Sequence, residues 1–88
     1  MTTVDSWPVE ISLHEEDGTT RAEARLTRDG VGMIGHGVAR RNPDDREVMQ
    51  IGEKIAAARA LSDLAHQLLS DAAGQIEGIT HERANLSL

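Results

Sequence analysis

The chain predicts an α+β domain: a three-stranded antiparallel sheet (β-β-β) packed against one long C-terminal α-helix. Three observations predict it. Residues 7–15 and 20–27 alternate apolar and polar side chains, the period of half-buried strands. Asp17-Gly18 and Asp29-Gly30 follow these stretches at hairpin positions. From Asn42 to Leu69 the pattern changes to that of an amphipathic helix. The expected division of this single domain is a sheet over 7–40, a loop or helical turn over 41–48, a main helix over 49–73, and a short turn and tail over 74–88.

In the first strand Trp7, Val9, Ile11 and Leu13 point one way, and Pro8, Glu10, Ser12 and His14 the other. Pro8 cannot donate a ladder hydrogen bond, which places this strand at an edge. In the second, Thr20 to Thr27, Ala22, Ala24 and Leu26 face the core while Arg21, Glu23 and Arg25 face out. The third, Val31 to Arg40, carries Met33, Gly35, Gly37 and Ala39 on one face and Ile34, His36 and Val38 on the other. Glycine inside a strand marks close approach of another backbone, here an alanine-rich helix. That leaves Ile34 and Val38 on an open face, where a partner would cover them.

The helix opens on Asn42, a favoured N-cap, followed by Pro43 at the first helical position and Asp44 and Asp45 near the positive end of the helix dipole. At 100° per residue, Ile51, Ile55, Ala58, Ser62, Ala65 and Leu69 fall along one line. Leu61, Leu64, Leu68 and Ala57 widen it, and Glu53, Arg59, Asp63, His66, Gln67, Ser70 and Asp71 lie opposite. The apolar arc is wider than the stripe of about 100° that covering one small sheet needs. The flank Leu61, Leu64 and Leu68 therefore has surplus apolar surface, for loops or for a second subunit. Gly74 is expected to interrupt the helix, with one more turn over 75–80. The tail from His81 is either frayed or an added strand across a dimer.

Eighty-eight residues make one domain, with no Phe, no Tyr and a single Trp. So small a core usually needs a staple or a partner. The chain has no cysteine, hence no disulfide and no thiolate metal site. Oligomerisation is the remaining supplement, and a homodimer is expected. The first residues lack the pattern of a signal peptide, and no apolar run approaches membrane length, so a cytoplasmic location is expected, with no membrane partner. Fifteen acids against nine bases give a net charge of −6, which opposes loose binding to phosphate backbones.

No motif announces a reaction. Gly30-Val31-Gly32-Met33-Ile34-Gly35 fits GxGxxG as a string, but a strand contains it where a dinucleotide fingerprint needs a helix to follow. Ser62 and His66 share a helix face without any oxyanion-hole feature beside them. His14, His36, His66 and His81 show no ligand spacing. The expectation is a protein that is not an enzyme, with no catalytic residues, no metal and no cofactor. Arg21 and Arg25 share the outer face of the second strand, and Arg40 and Arg41 leave the third. They form either a mixed solvated surface with interleaved acids or a patch facing RNA or the ribosome, which would read backbone and shape since the face has no aromatic platform.

The stretches WPVEISLHEEDGTTRAEARL, GVARRNPDD and IGEKIAAARALSDLAHQLL, with the late Ile-Glu-x-x-Thr-His, resemble a family of small uncharacterised mycobacterial and actinobacterial proteins with a double-stranded-RNA-binding-domain-like fold. The resemblance spans nearly the whole chain. It implies three strands and a long helix, a homodimer, and no established activity. Some relatives are dormancy-associated, and their dimer is similar in shape to ribosome hibernation factors. The chain differs from those factors in being acidic and lacking Lys-rich surfaces. The resulting expectation is a stress or dormancy factor acting on the ribosome or translation machinery; the alternative is a protein-interaction adaptor with no nucleic-acid role. The expected dimer interface is Ile34 and Val38, or Leu61, Leu64 and Leu68.

Overall fold

The computed structural model describes residues 3–41 and 49–88. The expected helix-start signal at Asn42, Pro43, Asp44 and Asp45 lies outside the described residues. Strands β1 (Val9–Glu16), β2 (Thr19–Arg28) and β3 (Val31–Arg40) form an antiparallel meander with β2 in the middle. Glu16 pairs with Thr19 and Arg28 with Val31, so each hairpin closes in two residues. Asp17 and Asp29 have φ of 51°, followed by Gly18 at 75° and Gly30 at 77°. Positive φ at both central positions defines the turn whose twist matches paired strands, and Asp-Gly tolerates it best. Pro8 has no N–H to open the ladder, so pairing begins at Val9 rather than Trp7.

Helix α1 (Met49–Thr80) has 32 residues and runs on past the expected end at Ala73. Gly74 does not interrupt it. A Cβ at Gly74 or Gly78 would meet nothing within 4 Å, so neither marks a turn or a close contact. Each costs about 1 kcal/mol relative to alanine, which does not stop a helix that keeps its hydrogen-bond ladder. The stop comes at His81, whose φ of 60° is left-handed and whose N–H donates to the Glu77 carbonyl at 2.7 Å. The Thr80 hydroxyl donates to the Ile76 carbonyl at 3.0 Å and accepts from the Glu82 N–H at 3.2 Å.

The helix lies over β3 and β2 and scarcely touches β1. Buried between the layers are Ala22, Ala24, Leu26, Ala39, Ala56, Ala60 and Leu64, with Met33 and Leu68 at the margin. The glycine expectation holds: a Cβ at Gly37 would overlap the Ala56 carbonyl and the Ala60 amide. One at Gly35 would lie 2.8 Å from the Leu64 Cβ, and nearer still to the Ala60 carbonyl. This contact also corrects the expected helix face. The buried line is Ala56, Ala60 and Leu64, while Ile51 is 58% exposed and Ile55 40%, and Ala58 and Ser62 are exposed. Backbone-to-backbone approach selects the smallest side chains, not the most hydrophobic line. Among the described residues, no helix is long and apolar enough to cross a membrane.

Candidate interaction surface

The two edges of the sheet are treated differently. Along β3, three helix side chains spaced four apart reach down to the edge backbone. Arg59 donates to the Val38 carbonyl at 2.6 Å, Asp63 accepts from the His36 N–H at 2.7 Å, and Gln67 donates to the Ile34 carbonyl at 2.7 Å. Gln67 also donates to Asp63 at 3.2 Å. Sequence periodicity assigns this row to the solvated side of the helix; the structure uses it to satisfy an edge that would otherwise template strand pairing.

Those bonds also set the parity of the sheet. Ile34, His36 and Val38 turn their backbone groups outward, so Gly35, Gly37 and Ala39 turn theirs toward Ala24, Ala22 and Thr20. Arg21, Glu23 and Arg25 then face β1, where they meet His14, Ser12 and Glu10. The remaining β1 groups, those of Val9, Ile11, Leu13 and Glu15, point out of the sheet. The side chains of Val9, Ile11 and Leu13 stand on the same face as Leu26, Ala24 and Ala22, opposite which they pair. That face is the helix side, yet Val9 is 42% exposed, Ile11 38% and Leu13 44%.

An apolar trough results. Its floor is Val9, Ile11 and Leu13. Its wall is the helix flank turned away from the β3 edge: Ala57, Leu61, Ala65 and Leu69, of which Leu61 is exposed and the others half-buried. Trp7 closes one end, with the Arg28 guanidinium 4.4 Å from its ring centre. Asp5 holds both, accepting from the indole N–H at 3.2 Å and from Arg28 at 3.0 Å. Alternation puts Val9, Ile11 and Leu13 on one face of a half-buried strand, and the structure leaves that face largely open. The missed signal is width: a helix about 10 Å across covers about two strands spaced roughly 4.8 Å apart, not three.

The expected interface residues separate. Leu64 is a core residue beneath Gly35, not a surface flank, because the helix is rotated from the expected face. Leu68 packs half-buried against the core, and Leu61 lies in the trough wall. Ile34 and Val38 are half-buried on the opposite face, directly across from Arg25 and Arg21. The structure does not bring them together with Leu61.

Arg21, Arg25 and Arg40 do share the outer face of the sheet. Glu10 is opposite Arg25, Glu16 and Arg40 both pair with Thr19, and Glu23 lies 3.6 Å from Arg25. Three acids thus offset three arginines. Arg41 falls at the other parity, with its guanidinium against Gly18, so it does not join them. His14 stands 3.7 Å from Glu16 on the same face, with both side chains largely exposed. Exposed pairs of this kind contribute about 0–1 kcal/mol.

Ser62 and His66 do meet, but the ring Nδ1–H donates to the Ser62 carbonyl at 2.7 Å, which leaves its hydroxyl unactivated. Among the described residues, no group of three or more His, Asp or Glu is placed to hold a metal ion. An open groove between Met33 and the helix residues Gln67, Ser70, Asp71, Gly74 and Gln75 has a single ionisable side chain, Asp71.

Residues 5–85 match the family model described as Rv2632c-like. The chain is 46% identical over 80 residues to the uncharacterised protein MT1780 of Mycobacterium tuberculosis, covering 91% of this chain and 85% of that one. It is 47% identical over 74 residues to the uncharacterised protein Rv2632c of the same species, covering 84% and 80%. The crystal structure of Rv2632c superposes with a TM-score of 0.84 at 43% identity, covering 92% of this chain and 96% of that one.

Proposed function

The chain belongs to the Rv2632c-like family, and from that premise we propose that it is a non-enzymatic interaction protein that works as a homodimer. The observation that carries this reading is the trough. Trp7 just before β1, Val9, Ile11 and Leu13 on it, and Leu61 on the helix flank turned toward them are each 38–45% exposed, whereas soluble monomers keep apolar patches small. The intramolecular core is correspondingly thin. Among the described residues, five of the seven buried apolar ones are alanines, and alanine returns much less on burial than the roughly 1.5–3 kcal/mol of a Leu or Ile. A second copy would supply what the helix leaves uncovered. The test is mass by sedimentation equilibrium. The native chain should give twice 9.5 kDa, and Ile11→Asp or Leu61→Glu should shift it toward the single-chain mass. A native chain that stays single at micromolar concentration refutes the reading.

A second reading, a stress or dormancy factor acting on the ribosome or translation machinery, is favoured by Arg21, Arg25 and Arg40 standing on one sheet face. The three offsetting glutamates place it behind the adaptor reading. Its test is co-sedimentation with ribosomes from stationary-phase lysate at low and high salt. Salt-sensitive pelleting that is lost in Arg21→Glu/Arg25→Glu supports it. No pelleting at either salt leaves a protein partner as the target.

A further inference from the structure

We propose that the dimer is closed by strand exchange: the C-terminal segment 83–88 of each copy adds to the open edge of β1 in the other. Ala84, Leu86 and Leu88 would then lie beside Val9, Ile11 and Leu13 of the partner subunit, over the trough. This rests on the homodimer reading above and deepens it by naming the segment that makes the contact.

Three observations carry the proposal. The first is the asymmetry of the edges. The β3 edge is satisfied by Arg59, Asp63 and Gln67. The β1 edge offers the N–H and C=O groups of Val9, Ile11, Leu13 and Glu15, which make no hydrogen bond among the described residues. Glu10, Glu15 and Glu16 put charge on the strand, but between Val9 and Leu13 it has no lysine, no bulge and no proline.

The second is the tail's own pattern. Arg83, Asn85 and Ser87 alternate with Ala84, Leu86 and Leu88, the period of a strand with one apolar face. Yet the segment belongs to no helix or strand within its own chain, and Leu86 and Leu88 are 43% and 76% exposed. Its departure from the helix is fixed. The His81 turn and the Ala84 N–H, which donates to the Glu77 carboxylate at 3.2 Å, hold the start of the tail. Among the described residues, Asn85 to Leu88 make no hydrogen bond.

The third is reach. Gln67 is level with Ile34, and the helix runs another 13 residues to Thr80, about 20 Å. From Ile34 the sheet continues only to the Asp29-Gly30 turn, four residues or about 13 Å away. The helix therefore overshoots its own sheet on the β3 side, and the tail starts beyond the sheet's end. To reach its own β1 edge the tail would have to double back and pass over β2 and β1, using most of its six residues. A second copy placed alongside presents the same edge without that detour.

The experiment uses the full chain, which has no native cysteine. Ser12→Cys, on the outer face of β1, is mixed with Asn85→Cys or Ser87→Cys, on the polar face of the tail, and oxidised. Strand exchange predicts a disulfide-linked heterodimer from one of these mixtures, and little from Ser12→Cys alone. It also predicts that deleting residues 82–88 weakens dimerisation at least tenfold while the helical circular-dichroism signal persists. A dimer that survives the deletion unchanged, or Ser12→Cys linking to itself as adjacent β1 strands would, overturns strand exchange and leaves the homodimer standing. A Ser12→Cys/Asn85→Cys or Ser12→Cys/Ser87→Cys double variant that closes only within one chain overturns exchange too. A native chain of single mass overturns both proposals, so the two failures are distinct.

Discussion

Gly37→Ala tests the contact on which the whole arrangement depends. A methyl group there overlaps the Ala56 carbonyl and the Ala60 amide, both backbone atoms of a continuous helix. No side chain can rotate away to make room, so the helix must lift from the sheet. Overpacking of this kind costs typically about 1–3 kcal/mol. The gain from restricting the unfolded chain returns only about 0.4–1 kcal/mol. The net expectation is a loss of roughly 1–2 kcal/mol, which for a domain of this size lowers Tm by about 4–16 °C. Urea and thermal unfolding should be compared at one protein concentration, because the proposed dimerisation would make apparent stability concentration-dependent. Gly32→Ala is the control: the same strand, with nothing within 4 Å of the added Cβ. It should be neutral or slightly stabilising. Lifting the helix should also loosen the Asp63 bond to the His36 N–H, so that amide exchanges faster. Gly37→Ala within about 0.5 kcal/mol of native, with the His36 amide still protected, would refute the close-approach argument.

Two further outcomes follow from the same geometry. Gly74→Ala and Gly78→Ala sit in an exposed, continuous helix and should each stabilise by about 0.5–1 kcal/mol and raise the helical signal; a loss at Gly74 would mean that the helix breaks there. The triple variant Arg59→Ala/Asp63→Ala/Gln67→Ala strips the β3 edge, so light scattering should show association beyond the native mass, rising with concentration. An unchanged mass would show that those side chains do not guard the edge.

Much of the fold was legible because its signals are local. The Asp-Gly turns at 17–18 and 29–30 need only two residues to be read, and strand alternation follows from the pleat. Gly35 and Gly37 announced the close helix. The helix face was misread because periodicity weights Ile51 and Ile55 above Ala56 and Ala60, whereas the glycines in the facing strand demanded the alanines. Gly74 was read as a stop because propensity alone cannot see that the helix continues past the sheet into open space. The trough was hidden for a different reason. Val9, Ile11 and Leu13 do share one face, as alternation requires, but how many strands one helix covers is a question of lateral width, which no one-dimensional pattern encodes. The arginine patch was half legible: alternation put Arg21 and Arg25 on one face, but that Arg40 joins them while Arg41 does not, and that Glu10 stands opposite Arg25, had to come from the pairing itself.

The alanine core and the open trough are one fact seen from two sides. Gly35 and Gly37 draw the helix onto β2 and β3, and the closeness they permit limits the core there to alanines. The larger apolar residues of β1 and of the helix flank are thereby left outside. A chain shaped to be stable alone would place its large side chains inside and its small ones at the margin; here the order is reversed. That reversal favours stability gained by association. It also predicts how the two functional readings differ under salt. Contact through Val9, Ile11, Leu13 and Leu61 is apolar and weakens little as salt rises. Arginines on a phosphate backbone release counterions, and their binding falls steeply over the same range. A net charge of −6 sharpens the contrast, because screening relieves repulsion between two acidic copies while it removes whatever attraction Arg21, Arg25 and Arg40 exert on a nucleic acid. Dimer affinity should therefore hold or rise with salt where ribosome binding would be lost.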